Sequence, residues 1–296
     1  MRSSTTSRRR ASSIAAVSRP SASPLSPGEG AGDLSAVLAR IQEGLDAAVA
    51  ILQGFRAGSV LAEAKSGGRG PVTEADRAVD EALARILPRD GEGWLSEESR
   101  DDRSRLSRRR VWAVDPLDGT KEFVEGVPEW CVSVGFVEDG RPVAGGVANP
   151  ATGEQVLGAV GHGVTYNGRA ARVSDRRDVQ GAVVLASRSE VSRGDWDRYR
   201  GAPFTVKPMG SVAYKMALVA AGVADATWTL APKHEWDVAA GVALVTAAGG
   251  HVRTLDGSPL LFNQERPWLS GLAAYPQGLA AALEPSLVPL GGPGPR

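Results

Sequence analysis

The chain has 296 residues, with 34 basic and 34 acidic side chains that give a formal net charge of zero. Its length allows one large domain or two of medium size, and its 42% hydrophobic content is ordinary for a globular protein. The neutral charge argues against general attraction to nucleic acid or membranes, and no apolar run reaches the roughly 20 residues needed to span a bilayer.

The charge is unevenly distributed along the chain. Residues 1–30 hold five arginines against Glu29 alone, whereas the rest of the chain has more acidic than basic groups. This segment is rich in Ser and Pro and has no apolar period, so residues 1–33 are predicted to form a disordered extension. A targeting segment or a weak contact with a polyanion are the alternatives. Residues 286–296 are predicted to form a flexible tail.

Two helices and a strand are predicted in the next part of the chain. Apolar residues repeat with the helical period over residues 34–52, and Asp33 is a suitable N-cap. Thr73 is predicted to cap a second helix, with Asp76 on the solvent side of its first turn. The apolar run over residues 111–114 is typical of a buried strand.

An antiparallel region follows. Hydrophobic residues alternate from Trp130 to Val137, and a turn at residues 139–140 leads into a second apolar stretch, which predicts a hairpin. Short strands are expected to continue to about residue 173. Strands and helices then alternate over residues 182–187, 212–221, 223–230, 236–248, 250–254 and 270–274.

These patterns predict an α/β protein of the layered α+β type. An N-terminal α+β part is expected over residues 34–181, followed by a C-terminal α/β part over residues 182–285.

Four carboxylates occur where a site could form. Asp115 and Asp118 end the predicted strand on a tight turn, Asp237 begins a helix, and Glu97 follows a short apolar stretch. Each alone has a simpler interpretation: a turn, a helix cap or a surface residue. Two carboxylates 4 Å apart repel by about 4 kcal/mol at an effective dielectric near 20, so such a cluster requires cations. Oxygen ligands favour Mg²⁺ or Mn²⁺. The single cysteine, Cys131, excludes an intramolecular disulfide and fits a reducing cytoplasm.

Several segments together resemble the lithium-sensitive, magnesium-dependent phosphatases of the inositol monophosphatase superfamily. The matching segments are PVTEADRAVDE (71–81), LSEES (95–99), VWAVDPLDGTKEF (111–123), NGRAARVS (167–174), GSVAYKMALVAAG (210–222) and EWDVAAGVALVTAAGG (235–250). The resemblance implies a sugar-phosphatase sandwich of α/β/α/β/α layers and a phosphomonoester hydrolase. It also implies that the part over residues 34–181 carries most of the metal ligands, that the part over residues 182–285 binds substrate, and that the site lies between them.

The resemblance also implies a metal centre. Glu97, Asp115 and the carbonyl of Leu117 would hold a first Mg²⁺, and Asp115, Asp118 and Asp237 a second. A third, weaker ion near Glu97 is consistent with the family. Mn²⁺ is an alternative ion, and Li⁺ is expected to inhibit.

The resemblance implies catalytic and phosphate-binding groups as well. Thr120, paired with Asp76, would orient and deprotonate the attacking water, which lies at the first ion beside Glu97. The backbone amides of Gly119 and Thr120 would bind the phosphate. The implied reaction is a metal-assisted displacement by water at phosphorus.

Individual residues and one spacing in the sequence suggest which phosphate ester is the substrate. Lys121 and Glu122 are similar to the branch of bacterial 3'(2'),5'-bisphosphate nucleotidases, and Ser211 and Lys215 lie where that branch binds nucleotide. The segment GSVAYK is one residue longer than usual, which leaves the reach of Lys215 open. Inositol-specific members carry a glutamate seven residues before the last metal aspartate, where this chain has Leu230.

The sequence therefore favours hydrolysis of 3'-phosphoadenosine 5'-phosphate to AMP and phosphate, a reaction linked to sulfur assimilation. Arg188 is a candidate second anion contact or a surface residue. The alternatives are an inositol-1-monophosphatase, another sugar or histidinol phosphate phosphatase, and a non-catalytic binding protein of the same fold. The expected partner is a small phosphorylated metabolite rather than a nucleic-acid polymer or a membrane, and a homodimer is the family expectation.

Overall fold

The computed structural model describes residues 34–59, 61–64 and 71–287. The predicted extension over residues 1–33, with Asp33, and most of the predicted tail over residues 286–296 lie outside these ranges. Within the described ranges, no helix has the length and apolar character needed to cross a membrane.

Helices are distributed along the whole described chain. They are α1 (Leu34–Leu52), α2 (Glu74–Ile86), α3 (Thr120–Glu125), α4 (Arg188–Ser192), α5 (Val212–Ala220), α6 (Glu235–Ala247) and α7 (Ala280–Leu283). The predicted helices over residues 34–52, 212–221 and 236–248 are confirmed within one residue at each end, and Thr73 caps α2 as predicted.

The first sheet has seven strands in chain order. A small ribbon, β1 (Glu63–Ala64) with β2 (Pro71–Val72), precedes it. The strands of the sheet are β3 (Gly93–Ser96), β4 (Arg110–Asp118), β5 (Cys131–Glu138), β6 (Arg141–Asn149), β7 (Glu154–Ala159), β8 (Gly163–Tyr166) and β9 (Arg169–Ala171). Strands β3 and β4 are parallel, and every later pair is antiparallel, as the predicted hairpin requires.

The second sheet has five strands and comes from the later part of the chain. Its members are β10 (Val183–Ser187), β11 (Thr205–Met209), β12 (Ala226–Thr229), β14 (Gly250–Thr254) and β16 (Leu272–Pro276), in the spatial order β11-β10-β12-β16-β14. A separate ribbon pairs β13 (Lys233–His234) with β15 (Trp268–Leu269). Strand β11 was not predicted from the sequence. Its run Thr-Val-Lys-Pro-Met does not alternate clearly, and its proline is tolerated because β11 is an edge strand.

Helices and sheets stack in five layers. Apolar residues of α1 and α2 pack with Trp112, Val134 and Phe136 on one face of the first sheet. Helices α5 and α6 lie in the same apolar cluster as residues of the opposite face, such as Cys131 and Val147. A third cluster joins the second sheet to the aromatic turn around Trp196 and to α7. The predicted α/β/α/β/α architecture is confirmed.

Helix α6 lies unusually close to the first sheet. A Cβ atom added at Gly135 would come within 2.6 Å of the Ala239 Cβ, and one at Gly145 within 2.7 Å of the Ala240 carbonyl oxygen. Glycines on β5 and β6 therefore face alanines on α6, so backbone approaches backbone. This packing fixes the first turn of α6, which carries Asp237, relative to the strands of the first sheet.

Candidate active site

The acidic turn at the end of β4 begins the candidate site. The register between β4 and β5 shifts between Asp115 and Asp118, which turns the chain out of the sheet. Asp115 is only 2% exposed, and one of its carboxylate oxygens accepts a hydrogen bond from the Leu117 amide at 3.0 Å. Gly119 then adopts a φ of 98° and starts α3. A Cβ there would lie 2.9 Å from the Glu129 carbonyl oxygen, so this position requires glycine.

Three carboxylates from three different segments converge at this turn. Glu97, Asp115 and Asp237 each offer an oxygen atom, and these atoms all lie within 4.8 Å of one another. Glu97 follows β3, and its amide donates to the Val114 carbonyl on the parallel neighbour β4 at 3.3 Å. Asp237 lies in the first turn of α6 and accepts from the His234 amide at 3.0 Å. Parallel strands and one helix start thus bring the three predicted ligands together.

The electrostatics of this cluster fit a divalent cation. Burial, and then the charges of Glu97, Asp118 and Asp237, raise the pKa of Asp115 well above its ordinary value. Burial also raises the pKa of Asp237 to about 8, opposed by the nearby Lys233 ammonium. A cation removes this repulsion, and three carboxylate oxygens without His or Cys are a donor set that suits Mg²⁺. The residues present therefore fit the metal that the resemblance implies.

Asp118 lies beside the three carboxylates and is held by α5. Its Oδ2 atom accepts from the Ser211 hydroxyl at 2.6 Å and from the Ala213 amide at 2.7 Å. Its charge raises the pKa values of both Asp115 and Asp237, so it is electrostatically part of the cluster. The hydrogen bonds from Ser211 and Ala213 use Oδ2, so Asp118 Oδ1 could bind the second ion. The role of Asp118 as a ligand of that ion stays a prediction.

Thr120 and Asp76 form the expected pair. The Thr120 hydroxyl lies 3.0 Å from Asp76 Oδ1 and 3.0 Å from the Leu117 carbonyl oxygen. The expectation that Asp76 faces solvent was wrong, because the residue is 1% exposed. Its other oxygen accepts from the amide and hydroxyl of Thr73 at 2.8 and 2.6 Å, closing a capping box that turns the carboxylate inward. The catalytic roles of Thr120 and Asp76 stay predictions.

The predicted substrate contacts are bound to other protein groups. Lys215 is 2% exposed, and its ammonium nitrogen lies 2.8 to 3.2 Å from the carbonyl oxygens of Met209, Gly210 and Ser211. Burial lowers its pKa to about 8. All three donors of Lys215 are thus directed at the turn before α5. The Ser211 hydroxyl donates to Asp118 and accepts from the Tyr214 amide.

Arg188 is likewise engaged. Its guanidinium makes a bidentate ion pair with Glu129, with nitrogen–oxygen distances from 2.5 to 3.1 Å. Glu129 also accepts from the Gly210 amide at 2.8 Å, so it links α4 to the turn before α5. In this arrangement Arg188, Ser211 and Lys215 organise the site, and direct contact of any of them with substrate stays a prediction.

Several buried or half-buried charged residues near the site were not predicted. They are Asp80, Glu129, Glu190 and Lys233. The helical spacing of Asp80, four residues after Asp76, and the position of Lys233, four residues before Asp237, were available signals. The partners of Glu129 and Glu190 are distant in sequence, so no local pattern could have identified them.

Asp80 supports the loop that carries Glu97. It accepts from the Ser96 hydroxyl and from the Ser99 hydroxyl, both at 2.5 Å, so it holds the chain on either side of Glu97. We expect Asp80→Asn to weaken Mg²⁺ binding about tenfold, because an amide cannot accept through both of its atoms. Isothermal titration of the substrate-free protein with Mg²⁺ measures this. Glu81→Gln, an exposed change on the same helix, is the matched control, and equal affinities in both variants would contradict the expectation.

Metal-free protein should lose stability as the pH rises. The pKa of Asp237 is about 8 in the folded state against an ordinary value of 3.8. Between these values the folded state keeps a proton that the unfolded state has released, so stability is full below about pH 4 and is lost towards about pH 8. Mg²⁺ would bind the ionised carboxylates and should therefore reverse this slope. Thermal unfolding in chelator and in Mg²⁺ across this pH range tests the expectation, which parallel curves would contradict.

Comparison with known proteins supports the family that the carboxylate cluster and the fold indicate. Residues 33–287 match the model of the inositol monophosphatase family, which covers nearly all of the described chain. The chain belongs to the inositol monophosphatase family. It is accordingly a phosphatase, and this family is generally magnesium-dependent.

Individual relatives in the inositol monophosphatase family carry different names. An inositol-1-monophosphatase of Mesorhizobium japonicum is 34% identical over 195 residues, which are 63% of this chain and 73% of the relative. A 3'-phosphoadenosine 5'-phosphate phosphatase of Mycobacterium leprae is 36% identical over 200 residues, 61% of this chain and 68% of the relative. The crystal structure of the SuhB protein of Bartonella henselae aligns with a TM-score of 0.71 and 27% identity, covering 85% of this chain and 98% of that one.

Proposed function

We propose that the chain is a 3'(2'),5'-bisphosphate nucleotidase that converts 3'-phosphoadenosine 5'-phosphate to AMP and phosphate. The observation that carries the proposal is the composition of residues 229–233, which we call the wall segment because it leads directly into α6. Leu230 is 2% exposed in this segment, at the position where the resemblance leads us to expect a carboxylate for sugar hydroxyls in inositol-specific enzymes. The charged side chain in the wall segment is the Lys233 ammonium, which suits an anionic group of the substrate.

Similarity to the M. leprae enzyme supports the same substrate. Inositol 1-phosphate is the second candidate, because the M. japonicum enzyme of that name is about as similar. Retention of Glu97, Asp115, Asp118, Thr120 and Asp237 favours an enzyme over a non-catalytic binding protein of the same fold.

Each protein group has a defined part in the proposed reaction. Glu97, Asp115 and Asp237, with Asp118, would hold Mg²⁺, which supplies positive charge next to the phosphate ester. The Thr120 hydroxyl accepts a proton from the attacking water while its own proton passes to Asp76 Oδ1, 3.0 Å away.

The remaining steps act on the phosphate. The water oxygen forms a bond to phosphorus, the bond from phosphorus to the 3'-oxygen breaks, and that oxygen leaves with a proton taken from solvent. The first amides of α3 at Gly119 and Thr120 lie at a helix start, where N–H groups lack intrahelical acceptors and can bind phosphate oxygens.

A phosphate-release panel tests the proposed function. The substrates are 3'-phosphoadenosine 5'-phosphate, inositol 1-phosphate, fructose 1,6-bisphosphate and histidinol phosphate, each with Mg²⁺. We expect the highest kcat/KM for the bisphosphate nucleotide. An equal or higher value for inositol 1-phosphate would overturn the proposal, and absence of phosphate release from every ester would overturn enzymatic function itself.

A further inference from the structure

The Lys233 ammonium has no hydrogen-bond or ion-pair partner among the described residues. Its side chain is half-buried on β13, where the backbone pairs with Leu269 of β15. Within the described ranges, its ammonium has no hydrogen-bond acceptor and no carboxylate within ion-pair distance. A lysine without a protein partner can bind an anion without first giving up an existing bond.

The backbone places Lys233 beside the candidate site. Lys233 lies directly before His234, the N-cap of α6, and four residues before Asp237 in the first turn of that helix. Oxygen atoms of Asp237, Glu97 and Asp115 come within 4.8 Å of one another at this helix start. Burial lowers the pKa of Lys215 in α5, and the charge of Lys233 adds to that effect, which agrees with this position.

The neighbouring cations cannot take the same role without breaking existing bonds. Lys215 directs its three donors at three carbonyl groups, and Arg188 is held by both oxygens of Glu129. Lys233 can therefore donate a hydrogen bond to an anionic group that binds beside the predicted metal ligands, and no existing bond has to break. A charge-assisted hydrogen bond to phosphate is among the strong polar contacts in proteins.

The wall segment is rigid before any ligand arrives. Glu190 is buried, and its Oε1 atom accepts from the Thr229 hydroxyl at 2.8 Å and from the amides of Leu230 and Ala231 at 3.0 and 2.9 Å. Its Oε2 atom accepts from the Trp196 indole at 3.0 Å. Because these bonds fix the backbone that leads to Lys233, little backbone conformational entropy is lost when the lysine binds an anion.

We propose that Lys233 binds the second phosphate of a doubly phosphorylated substrate and so sets the preference for bisphosphate over monophosphate nucleotides. This inference rests on the proposed function, since it assigns the residue that recognises the phosphate that is not hydrolysed. The phosphate that is hydrolysed lies at the acidic cluster, and the second phosphate extends towards β13.

The test compares two nucleotides that differ only in the second phosphate. Initial rates of Lys233→Met, Lys233→Arg and the wild type are measured with 3'-phosphoadenosine 5'-phosphate and with adenosine 3'-phosphate at saturating Mg²⁺. We expect Lys233→Met to raise KM for the bisphosphate about tenfold to a hundredfold more than for the monophosphate, with a smaller effect on kcat. Lys233→Arg should retain most of the discrimination. Lys207→Met, an exposed lysine of β11, is the matched control.

The outcomes separate the two proposals. A wild type that prefers the bisphosphate, combined with equal KM changes for both nucleotides in Lys233→Met, overturns the assignment of Lys233 and leaves the proposed function intact. If Lys233→Met disturbed Asp237 instead, KM would also change equally for both nucleotides, because both would depend on the same metal. If the wild type had the same kcat/KM for the monophosphate as for the bisphosphate, both proposals would be overturned.

Discussion

Replacement of Asp115 by Asn should lower kcat about a thousandfold or more, because it removes a buried carboxylate from the cluster that we propose binds Mg²⁺. The side chain is 2% exposed and has an oxygen within 4.8 Å of oxygens of both Glu97 and Asp237, so no solvent-facing group can replace it. Phosphate release at saturating Mg²⁺ measures the loss. Asp90→Asn, at an exposed position, is the matched control.

The same variant has a second expected property. Without metal, Asp115→Asn should unfold at a temperature equal to or above that of the wild type, since it removes a carboxylate whose burial and acidic neighbours disfavour its charge. Addition of Mg²⁺ should then stabilise the wild type and have little effect on the variant. A variant that keeps about a tenth of the wild-type kcat, or that is stabilised by Mg²⁺ as strongly as the wild type, would contradict the assigned cluster.

Replacement of Thr120 by Ala should lower kcat about a hundredfold to ten-thousandfold, the usual contribution of a positioned general base. The change removes the hydroxyl that donates to Asp76 and that, in the proposed reaction, takes the proton of the attacking water, whereas the carboxylate cluster is untouched. KM for the substrate and the affinity for Mg²⁺ should change far less than kcat.

Two further variants make the Thr120 result specific. Thr120→Ser keeps the hydroxyl and should recover most of kcat. Thr165→Ala, which removes a hydroxyl on β8 that donates to the Leu157 carbonyl, controls for loss of a threonine methyl and hydroxyl elsewhere. If Thr120→Ser were as slow as Thr120→Ala, the hydroxyl would have no part in moving the proton.

Local sequence patterns predicted the parts of the site that depend on one segment. Asp115, Asp118 and Gly119 were predicted at a strand end, and the structure has a register shift there followed by a positive φ that only glycine adopts easily. Asp237 was predicted at the first turn of a helix and lies there. The family resemblance, rather than any pattern of spacing, brought Glu97 and Asp76 into the same site.

Contacts across the fold account for what the sequence did not predict. The pattern that placed Asp76 in the first turn of α2 was correct, but the capping box with Thr73 turns its carboxylate inward. The partner of its other oxygen, Thr120, lies 44 residues away. Lys215 was predicted as a substrate contact from its type and position, whereas its donors are taken by carbonyl groups of the preceding turn. Side-chain direction is decided by burial and by available acceptors, which a linear pattern does not contain.

The close packing of α6 on the first sheet has a consequence for sequence variation. Positions 135, 145, 239 and 240 take no part in chemistry, yet each bears only hydrogen or a methyl group at the contact between helix and strands. A larger side chain at any of them would push the first turn of α6 outwards and carry Asp237 away from Asp115. Variants that abolish catalysis are therefore expected at small apolar residues as well as at the carboxylates.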